Sequence, residues 1–316
     1  MPSALTPNQL TGREDSHLLT LPDGHRLQSE VAQAFAVLQA DAREAGFELA
    51  IGSSFRSFAR QVVIWNGKAS GVRAVHDDDG CDVCIASLTA LETLHAIMRF
   101  SAIPGTSRHH WGTDLDVFDA AALPTQYQLQ LSPAEVAPGG LFDPLHRWLD
   151  ERMATATSHG FYRPYGKDRG GVASERWHLS YAPLSVSCAQ QCDAALLAAC
   201  WDCDDVSEEM LLRAEIEENW QQLMARYVHV PNDWCNSHAI GAAWPVRGEK
   251  RLPPRDPQCG RRHSADLFFG FCLLVQMSVM ILVIQLRGGN HFQCLITTVN
   301  IVHFDVVLFA RDHLVG

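Results

Sequence analysis

The sequence predicts an α+β fold. Stretches of helical and strand period follow one another as helix, strand, helix, helix, strand, helix, strand, helix, helix. The strands are few and their connections unequal in length, unlike the even strand–helix alternation of a doubly wound parallel sheet. The 316 residues, 47% hydrophobic and 19% charged, are ordinary for a globular protein and suffice for one large domain or two small ones.

Taken in order, residues 1–26 are polar and turn-rich and read as a loosely structured lead-in. From Leu27 to Ala45 the apolar positions Leu27, Val31, Phe35, Leu38 and Ala42 recur at helical spacing, with Gly46 as a stop. Phe47, Leu49 and Ile51 alternate into a strand. A second helix is expected from Ser57 to about Asn66, closed by Gly67, which puts Arg56 where strand gives way to helix. Residues 67–86 read as a loop with an acidic tip, His76-Asp77-Asp78-Asp79-Gly80, followed by a helix from Leu88 to Phe100. Ser132-Pro133-Ala134-Glu135 has capping-box spacing with proline at the first helical position, and Asp143-Pro144 opens another helix. Phe161 to Gly171 reads as a glycine-bearing loop. Helices are expected over 189–203 and 207–228, the second with Leu212, Ile216, Leu223 and Tyr227 on one face.

The chemistry concentrates in Ser107-Arg108-His109-His110-Trp111-Gly112-Thr113-Asp114-Leu115-Asp116. Its end, Asp114 to Phe118, alternates polar and apolar, so a strand would carry Asp114 and Asp116 on one face and Leu115 and Val117 on the other. Gly112 permits a tight bend or close backbone approach just before it. His109 beside Asp116 offers two zinc-type donors. A second alternating stretch, Ser174 to Tyr181, supplies His178 as a third, with the Glu175 carboxylate three residues earlier. Three protein ligands leave a fourth position for water, as in catalytic zinc sites, and Glu175 is placed to take that water's proton. His110 reads as structural, and Trp177 and Tyr181 as core packing, with the Tyr181 hydroxyl free to reach towards the metal.

The two motifs, S-x-H-x-x-G-x-x-x-D over Ser107–Asp116 and E-x-W-H-x-x-Y over Glu175–Tyr181, resemble those of the VanY-like D-alanyl-D-alanine carboxypeptidases. These share a zinc-peptidase fold with lysostaphin-type peptidases and the hedgehog N-terminal domain. The resemblance takes in Ser54-Phe55-Arg56-Ser57 and Phe161-Tyr162-Arg163-Pro164-Tyr165 and covers about residues 10–230. It departs at Asp114, where many members carry a small apolar residue, and its spacing favours Asp116 as the ligand. It implies a small antiparallel sheet with one zinc ion on its open face and helices behind. It places Arg56 in the substrate site, facing either the substrate's terminal carboxylate or the oxyanion at the scissile carbonyl, and Gln61 and Ser107 along its lining. The implied activity removes a C-terminal D-alanine from peptidoglycan stem peptides. An endopeptidase of the same fold and a zinc-dependent binding module without catalysis are the alternatives; retention of Glu175 argues against the last.

Other features bound this reading. Lys and Arg total 25 against 36 Asp and Glu, a net charge of −11, with no basic stripe to neutralise phosphates, which excludes a nucleic-acid partner. The N-terminus has neither a basic nor an apolar signal region, so the default is the cytoplasm with reduced thiols. The pairs Cys81/Cys84 and Cys200/Cys203 are spaced for metal binding but lie too far apart for a zinc ribbon, and unpaired thiols are expected. The domain expectation is a zinc carboxypeptidase over 27–230, a Pro-, Arg- and Gly-rich linker over 231–265 and an apolar tail over 266–316. Leu267 to Leu286 is long enough to span a bilayer, and a β-branched stretch runs from Leu295 to Leu308. Three readings of this tail stand open: a membrane anchor with the catalytic domain on the cytoplasmic side, a segment foreign to the native protein through a shifted frame or misjoined gene, or a soluble extension.

Overall fold

The structure, a computed structural model, describes residues 4–202, 209–229, 298–302 and 305–309. The chain divides into two units, Met1–Arg251 and Leu252–Gly316.

The first unit is built on a four-stranded antiparallel sheet in the order β3-β4-β6-β5: Leu49–Ser53, Asp114–Asp119, His178–Tyr181 and Phe161–Tyr162. The small antiparallel sheet of an α+β fold is thus present. The alternation in β4 does what its period demands. Leu115 and Val117 enter an apolar cluster with Val31, Phe35 and Leu38 of α2 (Ser29–Glu44) and Leu145 and Leu149 of α6 (Asp143–Ala154). Asp114 and Asp116 point to the opposite face. Register completes the arrangement, because Asp116 stands directly across from His178, and Ser53 of β3 flanks Asp116 on its other side.

A second apolar cluster joins α3 (Phe58–Ala69), α4 (Ala90–Met98), α8 (Ala194–Trp201) and α9 (Arg213–Glu218) through Trp65, Leu94, Ile97, Leu197 and Ile216. Two tryptophans satisfy their N–H groups on loop carbonyls, Trp65 on Leu211 and Trp201 on Pro104.

Several elements depart from the sequence expectation. The lead-in is ordered: α1 (Pro7–Leu10) carries a capping box at Thr6, the strands β1 (Leu19–Thr20) and β2 (Arg26–Leu27) pair, and Gly12 accepts from the Phe58 N–H. Polar composition concealed this, because only a few side chains, chiefly Leu10, are buried there. α3 continues past Gly67, whose missing side chain admits the packed stem of Arg73. Phe161 and Tyr162 form the edge strand β5 rather than a loop, pairing with Tyr181 and Ser180. A helix α7 (Ala182–Gln191) starts directly after β6 with Pro183 in its first turn, and Asp193 then caps α8, so the single helix expected over 189–203 is two. The final helix is likewise broken at Asn219 between α9 and α10 (Trp220–Leu223), then ends in a π-helical turn, Met224–Val228. Ile216, Leu223 and Tyr227 are buried as expected.

In the second unit, β7 (Thr298–Val302) and β8 (Asp305–Phe309) pair antiparallel, from Thr298 opposite Phe309 to Val302 opposite Asp305. They lie in the β-branched stretch. The expected linker and the apolar run Leu267–Leu286 fall outside the described residues; among those described, no helix is long and apolar enough to cross a membrane.

Candidate metal centre and cleft

His109, Asp116 and His178 converge, each offering a ligand atom within 4.8 Å of the others. β4 and β6 bring Asp116 and His178 together by register. His109 arrives on a single 3-10 turn, Arg108–Trp111, that ends at Gly112 in the left-handed conformation. A Cβ on Gly112 would meet Leu18 at 2.2 Å, so both the turn and the close approach require glycine.

The hydrogen bonds settle which nitrogens face inwards. His109 Nδ1 lies 2.9 Å from the carbonyl oxygen of Ser54, which can only accept, so Nδ1 carries the proton and Nε2 keeps its lone pair. His178 Nε2 lies 3.0 Å from Asp114 Oδ1, which places a proton there and makes Nδ1 the nitrogen turned to Asp116, carrying the lone pair when the ring is neutral. Both lone pairs then face the Asp116 carboxylate, His109 Nε2 at 3.3 Å from Oδ2 and His178 Nδ1 at 3.2 Å from Oδ1. Lone pairs at that distance repel unless a cation stands between them. Asp116 Oδ1 is buried with no hydrogen-bond partner among the described residues. A tetrahedral zinc ion with bonds of about 2.0–2.1 Å needs donors roughly 3.3 Å apart. The donor set, the tautomers and the orphaned oxygen therefore fit one zinc ion.

Asp114 is the orienting carboxylate of this centre. It accepts from His178, from Thr113 and from the buried guanidinium of Arg108 at 2.8 Å. Burial would raise its pKa, but Arg108 outweighs this and holds it at about 2. Arg108 also reaches Tyr162 and Ser180, so it ties the His109 turn to both β5 and β6. A carboxylate behind a ligating imidazole fixes its orientation and raises its basicity. Sequence reasoning left Asp114 and Asp116 both aimed at the site; the structure separates their places.

Glu175 is buried at the site's edge, 3.6 Å from His178 Nδ1. Burial, with help from Asp116 and against His178, pushes its carboxyl up to about 8. The cleft beside it has a volume of about 440 Å³ and is lined by Arg56, Lys68, Ser107, His109, Asp116 and Glu175 among others. Arg56 is held by its backbone, whose N–H donates to the His109 carbonyl and whose carbonyl accepts from His110 Nδ1. His110 is structural, as expected: Nε2 accepts from the Gly105 N–H, and burial holds the ring neutral with a pKa of about 3. The ordered lead-in seals this joint, for a Cβ on Gly12 would lie 2.4 Å from His110 Nδ1.

Two expectations are corrected. Gln61 does not line the cleft; it is fully buried, accepting from Arg56 Nη1 at 3.0 Å and donating to the Ala102 carbonyl, so it aims Arg56 instead. The Tyr181 hydroxyl points away from the metal centre and donates to Glu30 at 3.1 Å. Sequence reasoning also missed Arg108, Lys68 and Tyr165, whose ring stacks edge-on to His178 at 5.1 Å. Arginine and lysine side chains carry no periodic signal, and only the fold shows that these are turned inwards. Of the cysteine pairs, Cys81 is exposed, Cys200 is buried in the helical cluster, and Cys203 lies outside the described residues.

The chain is similar to several known proteins. A protein of Haemophilus influenzae of no assigned activity is 45% identical over 103 residues, covering 31% of this chain and 70% of its own. A D-alanyl-D-alanine carboxypeptidase of Enterococcus faecalis is 23% identical over 183 residues, 57% of each chain. The solved structure of a vancomycin-resistance D,D-pentapeptidase VanY in complex with Zn(II) is similar at 22% identity and a TM-score of 0.38, over 54% of this chain and 80% of that one. The sequence profile of the VanY family, described as D-alanyl-D-alanine carboxypeptidase, matches residues 24–184, from the ordered lead-in to the first turn of α7. With half the chain and every residue of the metal centre inside that match, this protein belongs to the VanY carboxypeptidase family.

Proposed function

We propose that the protein is a zinc-dependent carboxypeptidase that removes a C-terminal D-alanine from peptidoglycan stem peptides. The observation that carries this reading is the convergence of two imidazole nitrogens on the Asp116 carboxylate, one of whose oxygens has no hydrogen-bond partner among the described residues, with Glu175 and Arg56 on the same cleft. His109, Asp116 and His178 hold the zinc. When bound, zinc supplies a Lewis acid that brings the pKa of water to about 7 and polarises a carbonyl.

Glu175 takes the proton from the attacking water and returns it to the leaving amine nitrogen. Arg56, aimed by Gln61 and the His110 contact, faces the oxygen on which negative charge develops, as a donor already in place.

The test is mass spectrometry of defined muropeptides after incubation with the zinc-loaded full chain. Release of free D-alanine with an otherwise intact stem is the expected result. Products cut only within the stem would replace this reading with the endopeptidase, and tight peptide binding without any cleavage would make the protein a binding module.

A further inference from the structure

One wall of the cleft comes from beyond the family match, which ends at residue 184. The π-helical turn Met224–Val228 puts Tyr227 and Val228 on the same cavity as Arg56 and Glu175. Its widened turn is closed by the His229 N–H, which donates to the Met224 carbonyl at 3.0 Å. Such turns are rare and often stand at functional sites.

Two neighbours dock this turn. The first is the loop before Glu175. The backbone of Arg226 crosses Gly171 so closely that a Cβ on that glycine would overlap the Arg226 carbonyl oxygen, and Arg226 Nε donates to the Gly170 carbonyl. The second is α4, where His95 Nδ1 lies 2.9 Å from the Tyr227 hydroxyl. Loop and helix are themselves joined. Arg99, at the end of α4, donates to the Gly171 carbonyl and to both oxygens of Asp168, and its carbonyl accepts from the Ala173 N–H.

The surface that results is aliphatic. Ala96 of α4, Val172 of the loop and Val228 of the turn all line the cavity, each of them half-buried. Their side chains carry no polar atom, so this wall acts on a ligand only through shape and apolar contact. Val172 is three residues from Glu175, at most about 11 Å along the chain, which keeps the wall close to the proton acceptor. We propose that this wall limits the size of the side chain admitted at one of the two substrate residues flanking the scissile bond, with Val228 as the limiting contact. The proposal rests on the peptidase reading and deepens it, because it assigns a specificity determinant to a segment outside the family match. A wall tied to both loop and helix yields little, so it admits a methyl group and turns away a longer branch.

The alternative role for the turn is structural, as a cover for the helical apolar cluster. The two are separated by assaying the zinc-loaded full chain on a stem peptide ending in D-alanyl-D-alanine and on two analogues in which D-leucine replaces one or the other alanine. In the wild type kcat/KM should be lower by roughly 10- to 200-fold for one of the analogues. Val228→Ala, which withdraws the wall, should shrink that discrimination by about fivefold or more, and Val228→Phe, which advances it, should deepen it, with zinc content unchanged in both. A structural cover would change the melting temperature and leave the ratio between peptides where it was. A ratio that stays put in both variants, or moves the same way in both, overturns the proposal. So does a wild type that cleaves all three peptides equally well, which would leave the peptidase reading standing. A wild type inert on all three removes that reading itself, and this proposal with it.

Discussion

Two buried clusters of charge meet at β6 and behave in opposite ways. On the cleft side, His178 sits among Asp114, Asp116 and Glu175. Around Arg176, two residues away, a second cluster closes on itself: Arg176 pairs with Asp143 and Asp150, Arg163 pairs with Asp150 and donates to the Arg176 carbonyl, and His146 packs against Arg163. The second cluster is also largely buried, Asp150 excepted, but both of its carboxylates are engaged by arginines, as only Asp114 is in the first. In the first, an oxygen of Asp116 and two imidazole lone pairs are left pointing at one spot beside a cavity. Burial of charge is shared by both; unspent donors facing open space mark only one.

The largest effect should come from removing a donor in the first cluster. His178→Ala should lose stoichiometric zinc and with it all measurable turnover, read by metal analysis of the purified protein; full zinc occupancy would dissolve the distinction between the clusters. Next is Glu175→Gln, which keeps shape and removes the proton acceptor. Zinc content should hold while kcat falls on the order of 10²–10⁴-fold. Near-normal turnover would move the base elsewhere.

A matched pair then compares the clusters directly. Asp114 and Asp143 each accept from a buried arginine at 2.8 Å. Asp114→Asn should weaken zinc affinity roughly 10- to 100-fold, because it holds a ligating imidazole. Asp143→Asn should cost about 1–3 kcal/mol in a denaturant melt and leave zinc affinity alone. Equal loss of affinity in both variants would show that the clusters are one.

The second cluster should also leave a pH signature. Burial, then Arg163 and Arg176, hold His146 well below its ordinary 6.5. The folded state therefore keeps it neutral while the unfolded chain takes up a proton below 6.5. Stability falls as pH drops from 6.5, by up to about 1.4 kcal/mol per unit from this group. His146→Gln should flatten that slope between pH 6.5 and 5 in thermal melts of the metal-free protein; an unchanged slope would assign it to other groups. The smallest effect is expected from truncation. Among the described residues the apolar clusters of the first unit run to Tyr227, so a chain ending near residue 230 should bind zinc and cleave the same peptide as the full chain. Loss of zinc binding or of folding on truncation would make the remainder part of the domain.

Much of the centre was legible because its donors sit on periodic strands. The alternation of Asp114 to Phe118 and of Trp177 to Tyr181 has one reading on a half-buried strand, and it put Asp116 and His178 on the polar face before any pairing was known. Gly112 likewise announced a bend. The capping box at Ser132 and the helix start at Asp143-Pro144 came from local chemistry that needs no partner. Spacing alone could not separate Asp114 from Asp116, since both share a face. That took the register across β6, which sets Asp116 opposite His178 and Asp114 opposite Ser180, and the arrival of Arg108 behind Asp114.

The sequence by itself determined the main helices, the polar and apolar faces of the strands that carry the donors and the residue types able to hold a metal, because periodicity and capping are properties of neighbouring residues. The tertiary structure decided the rest. It chose which nitrogen of each imidazole is free, through a Ser54 carbonyl 55 residues from His109 and an Asp114 carboxylate 64 residues from His178. It buried Gln61 behind Arg56, ordered the polar lead-in over His110 and turned Lys68 into the cleft. Each of these depends on contacts between segments far apart in the chain, and no local pattern encodes the distance between them.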